Sequence, residues 1–528
     1  MNKRTIAILM AAVMVLALLA GCGGSSSSSG GSEASSGSAA SSASSSGAAA
    51  AERKTKDTLT VAIIEDMMSM DPQETNRASN WAIQRQIYNH LVHENPDGSV
   101  DPELATKWEW EDDLTLRMWL RDDVYFHNGV QFTAKDVYFM IEKALATSLS
   151  ASTYASFDIE NTEIVNDFEI VLKFKQPYAP VFNTLTSGRG SVPCKEYFDE
   201  VGPEVAAREP VGTGPYKFVS WDAGTQMVLE ANENYWDTAN MAKTKNVILK
   251  VVGNTSSRVV ELETQSSDLV FEIATTDIDR VNAIEGAHAD VSESNRYMLV
   301  TFSMKDETLS NKDLRYALSY AIDRQAIINV EYGGNALMAT GMYPHNVFAF
   351  REIPDYMPYD LAKAKEYMAK AGYPDGGLKL LFNVEDREVD RRIAVMLQDM
   401  WKQIGVETEI IVAGDSAYVS QGYSYQIGLR AGNANEPSNI LIIYDSAFAQ
   451  KIQGCDDHID SELARCKTLL DASERAEAYG ALQEYLYDIR FTVPLLETPV
   501  VFGVSDNVEG FVSDPLQQIN LNSIVVYE

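Results

Sequence analysis

Cysteine, histidine and positive charge are all scarce in these 528 residues, and each scarcity excludes something. Four cysteines are too few for a disulfide-built scaffold. Six histidines are present, and only His90 and His93 stand close together, which reads as a solvated helix end. No metal site is expected from them. Lys and Arg number 43 against 76 Asp and Glu, a formal charge of −33. Such a field repels phosphate backbones, so a nucleic-acid partner is excluded. There is no Gly-x-Ser-x-Gly elbow, Walker loop, His-Glu-x-x-His or Cys-x-x-Cys. Gly212-Thr213-Gly214-Pro215 lacks a third glycine and runs into a strand-like stretch, so it is no phosphate loop. With no nucleophile beside a base, the chain reads as neither an enzyme nor a cofactor carrier. What remains is ordinary globular material, 45% apolar and 23% charged, with length for roughly three domains.

The first residues carry an address. Lys3 and Arg4 precede an apolar run from Ile6 to Ala20, the pattern of a secretory signal over residues 1–21. Fifteen apolar residues fall short of the roughly 20 a membrane span needs. Leu19-Ala20-Gly21-Cys22 resembles the bacterial lipoprotein lipobox, which implies that Cys22 becomes the lipidated first residue. Residues 22–56 then form a Ser/Gly/Ala-rich tether, with an r.m.s. reach of about 30 Å. No later run is apolar and long enough to span. Of the other cysteines, Cys194 reads as a buried thiol. Cys455 and Cys466 either bridge across the Asp-rich turn between them or stay reduced.

The body alternates strands and helices, a mixed α/β pattern. Leu59–Ile64 opens it as a strand, and Trp81–Val92 has apolar residues at helical spacing. Thr133 followed by Asp136 predicts a capped helix start. Tyr216–Val219 and Met227–Glu230 predict a hairpin around Asp222-Ala223-Gly224. Asp313–Tyr332 reads as one long helix stopped by Gly333-Gly334. Helices over Leu361–Ala371, Val389–Ile404 and Glu474–Tyr487 alternate with strands at Leu378–Val384, Ile410–Ala413 and Phe491–Leu496. Acidic Glu109–Asp113 is expected as solvated surface.

A series of short motifs then falls in a recognisable order. Met70-Asp71-Pro72, Asn95-Pro96-Asp97-Gly98 and Pro102-Glu103-Leu104-Ala105 come first. Phe126-His127-Asn128-Gly129, Pro210-Val211-Gly212-Thr213-Gly214-Pro215-Tyr216 and Asn234-Tyr235-Trp236 follow. Asp313-Leu314-Arg315, Ala321-Ile322-Asp323-Arg324 and Ala371-Gly372-Tyr373-Pro374-Asp375-Gly376 complete the set. From Leu59 to about Val512 the chain thereby resembles the family 5 solute-binding proteins of bacterial ABC importers, the peptide/opine/nickel group. The resemblance implies a bilobed, type II periplasmic-binding-protein-like fold of three domains with a ligand cleft between lobes. Domain I would comprise 57–87, 206–300 and 496–528, domain II 88–205 and domain III 301–495. It further implies an extracytoplasmic monomer, lipid-anchored to the membrane, that serves an ABC permease and, through it, cytoplasmic ATPases. A ligand touching both lobes shifts the open–closed population by its differential affinity.

The same resemblance points to ligand residues. Peptide-binding members carry a W-x-A-D-Y-x-[DE]-P segment whose Asp pairs with the peptide ammonium. Aligned on Glu436-Pro437, Asn433 takes the place of that Asp and Arg430 that of the Trp. Asn lacks the charge a buried ammonium needs, and Arg430 adds a planar cation suited to carboxylate or phosphate. Arg189, in Ser187-Gly188-Arg189-Gly190, and Glu74 and Arg77, after the Met70-Asp71-Pro72 turn, are further candidates. Trp81 is expected in the core. These departures favour a small peptide-like or anionic solute. A peptide importer component with Glu436 compensating for Asn433, and a sensory or adhesive lipoprotein on the same fold, are the alternatives.

Cys22→Ser should release the protein from the membrane fraction, or leave its signal uncut, without changing its fold. Equal membrane retention with unchanged N-terminal processing would overturn the lipobox assignment.

Overall fold

The computed structural model describes residues 53–75, 77–95, 99–414, 426–433, 435–446, 456–514 and 519–528. Cys22 and the tether as far as residue 52, residues 96–98 of the Asn95–Gly98 motif, and Cys455 lie outside the described residues, whereas the last residues assigned to the tether are held in the fold: Thr55 bridges Tyr527 and Lys56 N donates to Val526 O at 2.7 Å. An eleven-stranded mixed sheet dominates the structure. Its path runs Val406–Ala413, Leu378–Glu385, Ile427–Asn433, Ala287–Phe302 and Thr492–Ser505, then Leu269–Val270, Thr58–Ile63, Asn246–Val251, Gln226–Ala231 and Tyr216–Asp222. Leu337–Met338 pairs with Thr492–Ser505 off this path. Thr58–Ile63 is parallel to both its neighbours, as is Leu378–Glu385, whereas the central pairings are antiparallel. A separate four-stranded antiparallel sheet joins Ala105–Asp112, Thr115–Leu120, Glu169–Lys173 and Glu163–Asn166.

Three substantial cores sit on these sheets. The largest draws its residues from Met298 to Leu496, with Phe302, Phe382, Trp401, Tyr444 and Phe491 fully enclosed. A second lies between Leu91 and Cys194 and backs the four-stranded sheet. The third gathers segments distant in sequence: Leu59–Tyr88, Tyr216–Phe271 and Val500–Val526.

Local rules account for many of the elements. Thr133 and Asp136 form a reciprocal capping box at the start of Ala134–Ala146, with Thr133 N donating to Asp136 Oδ2 at 2.9 Å. The predicted hairpin is present, and Gly224 takes φ +78° at its turn. Glu109–Asp113 is largely exposed, as expected. Cys194 and Cys466 are buried free thiols, and burial pushes both up to about 11. Among the described residues no helix is long and apolar enough to cross a membrane.

Two helices are shorter than their periodicity predicts. The helix expected over Trp81–Val92 is Ala78–Gln84. Beyond it the backbone turns to pair elsewhere: Gly214 N donates to Ile87 O at 2.8 Å and Tyr216 N to Gln86 O at 2.9 Å. The long helix expected over Asp313–Tyr332 is two, Lys312–Tyr320 and Arg324–Glu331, because Asp323 caps the second through Ala326 N. There Arg324 is drawn into carbonyls of Ala339, Tyr356, Met357 and Pro494.

The close approach at Ile87 makes a sharp test. A Cβ on Gly212 would lie 2.0 Å from Ile87 O, a backbone atom that cannot step aside. Gly212→Ala should therefore destabilise by about 1–3 kcal/mol or more, beyond the roughly 1 kcal/mol expected for removing the helix cap in Thr133→Ala. Thermal melts of the two variants check the order, which equal melting temperatures would refute.

Candidate functional site

A cleft of about 450 Å³ opens between the Leu91–Cys194 core and the Met298–Leu496 core. One wall carries Glu94, Asn95, Val100 and the Ala179–Asn183 segment, whose end is positioned by the helix Val181–Thr186. The opposite wall carries Asn295, His345–Phe348, Asn435, Glu436 and Arg475. Five of the lining residues are asparagines: Asn95, Asn183, Asn295, Asn346 and Asn435. Each amide both donates and accepts hydrogen bonds, so such walls match a ligand bearing alternating N–H and C=O groups.

The two walls touch. Asn439 Nδ2 donates to Asn183 Oδ1 at 3.1 Å, and Ala179 N donates to Lys467 O at 2.9 Å. Glu94, half-buried, accepts from Thr186 Oγ1 at 3.0 Å and Asn183 Nδ2 at 3.4 Å on its own wall. Asn435 reaches it from the other side. Burial raises the Glu94 pKa, and these hydrogen bonds oppose the rise.

Charge in the cleft is closely partnered. Glu436 caps the short helix Pro437–Ile440 and accepts from Tyr479 Oη at 3.2 Å and Arg475 Nη1 at 3.4 Å. Burial raises its pKa while Arg475 pulls it back. Arg475 also lies over the Phe348 ring at 4.3 Å. His345 Nδ1 stands 2.6 Å from the buried Glu497 carboxylate, with Glu293 3.7 Å from its other nitrogen. Among the described residues no three His, Cys, Asp or Glu side chains gather to hold a metal.

Of the six residues singled out in the sequence, Glu436 lines this cleft. Arg189 follows the helix Val181–Thr186, its guanidinium 5.3 Å above the Trp81 ring. Its carbonyl accepts from Gln73 Nε2 and Tyr154 Oη, which fixes the loop. Trp81 is half-buried, not core, and packs flat against Gly188. Arg430 is half-buried on strand Ile427–Asn433 beside Tyr297, whose phenol burial pushes up to about 12 against the pull of Arg430. Asn433 is exposed at the end of that strand, opposite Arg296. Glu74 is exposed and accepts from Ser69 Oγ, and Arg77 pairs with Glu65 at 2.6 Å. The asparagines, His345 and Arg475 escaped sequence reasoning, since they come from segments with no shared local pattern.

His90 differs from expectation: it is buried, not solvated. Its ring lies 3.1 Å from Ser191 Oγ and 4.0 Å from the Glu103 carboxylate. Burial lowers the His90 pKa well below the usual value, and raises that of Glu103 to about 7. Arg85, from the end of the Trp81 helix, donates to Thr186 O and joins this buried polar layer behind the cleft.

Comparison with known proteins agrees with this geometry. Residues 99–451 match the profile of the bacterial extracellular solute-binding proteins, family 5 (middle region). The glutathione-binding protein GsiB of Salmonella typhimurium is 26% identical over 475 residues, covering 86% of this chain and 91% of its own. CtaP, an ABC transporter substrate-binding protein of Listeria monocytogenes, superposes with a TM-score of 0.81 at 24% identity, over 90% of this chain and 100% of its own. DppA of Helicobacter pylori, a periplasmic binding protein solved with the peptide STSA, gives 0.79 at 24% identity over 90% and 99%. A mixed α/β fold with a cleft walled by two separate cores is that of the periplasmic-binding-protein-like receptors. The chain belongs to the bacterial extracellular solute-binding proteins, family 5, and is the substrate-binding component of an ABC importer.

The buried layer behind the cleft gives a pH test. Glu103 has a folded pKa of about 7 against an ordinary 4.5. Between those values the native state keeps a proton that the unfolded chain has lost. Its contribution is therefore most favourable below about pH 4.5 and is lost as pH rises to about 7. His90, with its pKa lowered, works in the opposite sense below its ordinary value, but it is common to parent and variant. The stability of the parent relative to Glu103→Gln should fall across that window and then level off. A flat difference in melting temperature across it would refute the assignment.

Proposed function

We propose that this chain captures a small peptide-like solute in the cleft and presents it, enclosed, to an importer permease. The observation that carries the reading is the cleft itself: one volume of about 450 Å³ with walls from two different cores. That volume falls within the roughly 300–1,000 Å³ of small-ligand sites. Its asparagine lining suits peptide groups, and GsiB and DppA, a glutathione-binding and a peptide-complexed relative, support the same class. Glu94 and Glu436 offer negative charge where Asn433 has none. Arg430, Asn433, Arg189, Glu74 and Arg77 do not line the cleft and are kept as further candidates for ligand contact only through the family resemblance. The domain division read from the sequence, 57–87 with 206–300 and 496–528, 88–205, and 301–495, would give the cleft one wall from domain II and the other from domain III with Asn295 of domain I. The protein acts as a monomer outside the cytoplasmic membrane, held there by lipid on Cys22 and the tether to residue 56.

Calorimetric titration with reduced glutathione and with free tri- and tetrapeptides tests this, with small-angle scattering to follow contraction on binding. Asn183→Leu removes a lining amide and the bond to Asn439. It should weaken binding by about tenfold, the equivalent of one hydrogen bond. A parent protein that binds none of these peptides would sink the peptide reading. So would unchanged affinity in Asn183→Leu for this cleft.

A further inference from the structure

The cleft wall that bears residues 345–348 belongs to a loop, 339–360, with neither helix nor strand along its length. So long a stretch without secondary structure is uncommon in a compact domain, and is either functional or disordered. This one is held under strain. Ala349, Asp355 and Met357 take φ +59°, +51° and +43°, the left-handed region that non-glycine residues avoid. Such residues persist only where their surroundings fix them. Arg324 donates to Ala339 O, Tyr356 O and Met357 O. Gln483 Nε2 donates to Ala349 O at 2.8 Å, and its Oε1 accepts from Arg351 N. Arg351 in turn pairs with Glu477 and Glu484.

The stretch that faces the cleft has a different holder. Glu497, its side chain buried on strand Thr492–Ser505, grips His345 with both oxygens. Oε1 accepts from His345 N at 3.2 Å, and Oε2 lies 2.6 Å from the ring Nδ1. Glu293, exposed on strand Ala287–Phe302, stands 3.7 Å from Nε2 on the other side. Among the described residues these two carboxylates are the ion-pair partners of the ring. Glu436 and Arg475 on the same wall pair with each other, and Glu94 lies on the opposite wall. Burial raises the Glu497 pKa; the His345 ring and N–H oppose the rise, and Glu293 adds to it.

We propose that Glu497 is the positioning residue of this cleft wall: through His345 it fixes residues 345–348, most firmly when the imidazole carries its second proton. The role rests on the cleft reading and deepens it, by adding a dependence on pH to the same site. With both nitrogens protonated, the ring is a cation set between two carboxylates. Histidine side chains lose that charge within about pH 5–8. Glu497 is then a buried carboxylate without a counter-charge. Its own raised pKa acts in the same direction. A native state that keeps a proton the unfolded chain has lost is favoured at lower pH, and that gain is lost as pH rises through the raised value. The wall therefore loosens as pH rises through the histidine range.

Hydrogen exchange on the ligand-free protein tests this at about pH 6 and about pH 8.5, either side of most of that range, with rates corrected for the chemical effect of pH. In the parent, residues 345–348 should exchange about tenfold faster at the higher pH, the difference between a charge-assisted pair and a neutral one. Glu497→Gln should level the two rates. His345→Gln should exchange at the lower pH as fast as the parent at the higher. Helix Glu388–Lys402, which packs into the same core, should keep its rate throughout. A parent loop equally protected at both pH values would overturn the proposal, as would a Glu497→Gln loop that follows the parent. Loop and helix loosening together would mean a general role in stability, and would overturn it too. Should Glu497→Gln fail to fold, His345→Gln decides, because its side chain is partly open to solvent. Reduced glutathione, titrated at both pH values, carries the test to the cleft. The parent should lose about threefold more affinity on going to the higher pH than Glu497→Gln does, and an equal change would refute the positioning role. If glutathione binds neither protein, it is the cleft reading that falls, and exchange alone decides whether Glu497 positions the loop.

Discussion

The antiparallel pairing of Ala287–Phe302 with Thr492–Ser505 is the constraint on which the rest of the structure depends. These two strands belong to more than one core. At one end Ala287 and Val501 pack with Ala62, Val259 and Val270. At the other, Val300, Phe302, Val493 and Leu495 enter the Met298–Leu496 core. Between the ends the ladder slips twice, at Ser292/Arg296 and at Met298/Leu299. A slipped ladder leaves backbone groups without their regular partners, and Ser294 repairs part of the loss. Its hydroxyl donates to Thr498 O at 2.7 Å and accepts from Arg296 N at 3.0 Å. The cleft grows from this middle stretch: Asn295 lines it, and Glu497 holds His345 at its edge.

That spine also explains what could and could not be read from the chain. Helices with local start and stop signals were legible, as at Thr133 with Asp136 and at Gly372 after Leu361–Lys370. So were the opening strand and the hairpin at Gly224, which depend on neighbours in sequence. Ala287–Phe302 was not, because its first half is mostly polar, its alternation of Ala287, Ala289 and Val291 is short and carried by small side chains, and its pairing is set by partners some 204 residues away. The overlong helices failed for a related reason. Apolar spacing continues past Gln84 and Tyr320, but tertiary hydrogen bonds at Ile87 and a side-chain cap at Asp323 end the helices first. The family resemblance supplied the two-lobed arrangement that periodicity alone could not.

The candidate site shows the same division. Glu436 was reachable through an aligned segment and does face the cleft, though much of its charge is engaged by Arg475 and Tyr479. The five asparagines were not reachable, since amide side chains scattered over the chain carry no pattern until folding gathers them. His90 was misjudged because burial of a polar side chain has no local signature. Its partners Ser191 and Glu103 reach it only through the fold. The lining of this cleft is therefore rich in neutral amides, with carboxylates and cations set around them.

The contact of Gly214 and Tyr216 with Ile87 and Gln86 has one more consequence. Everything between Tyr88 and Thr213 leaves and re-enters the main sheet through one doorway, its two jambs bonded to each other. A segment with adjoining ends can be lengthened, shortened or replaced with little strain on the strands outside it. One wall of the cleft is thus an exchangeable cassette. Remodelling that cassette would reshape one side of the cleft while leaving the pairing of Ala287–Phe302 with Thr492–Ser505 untouched.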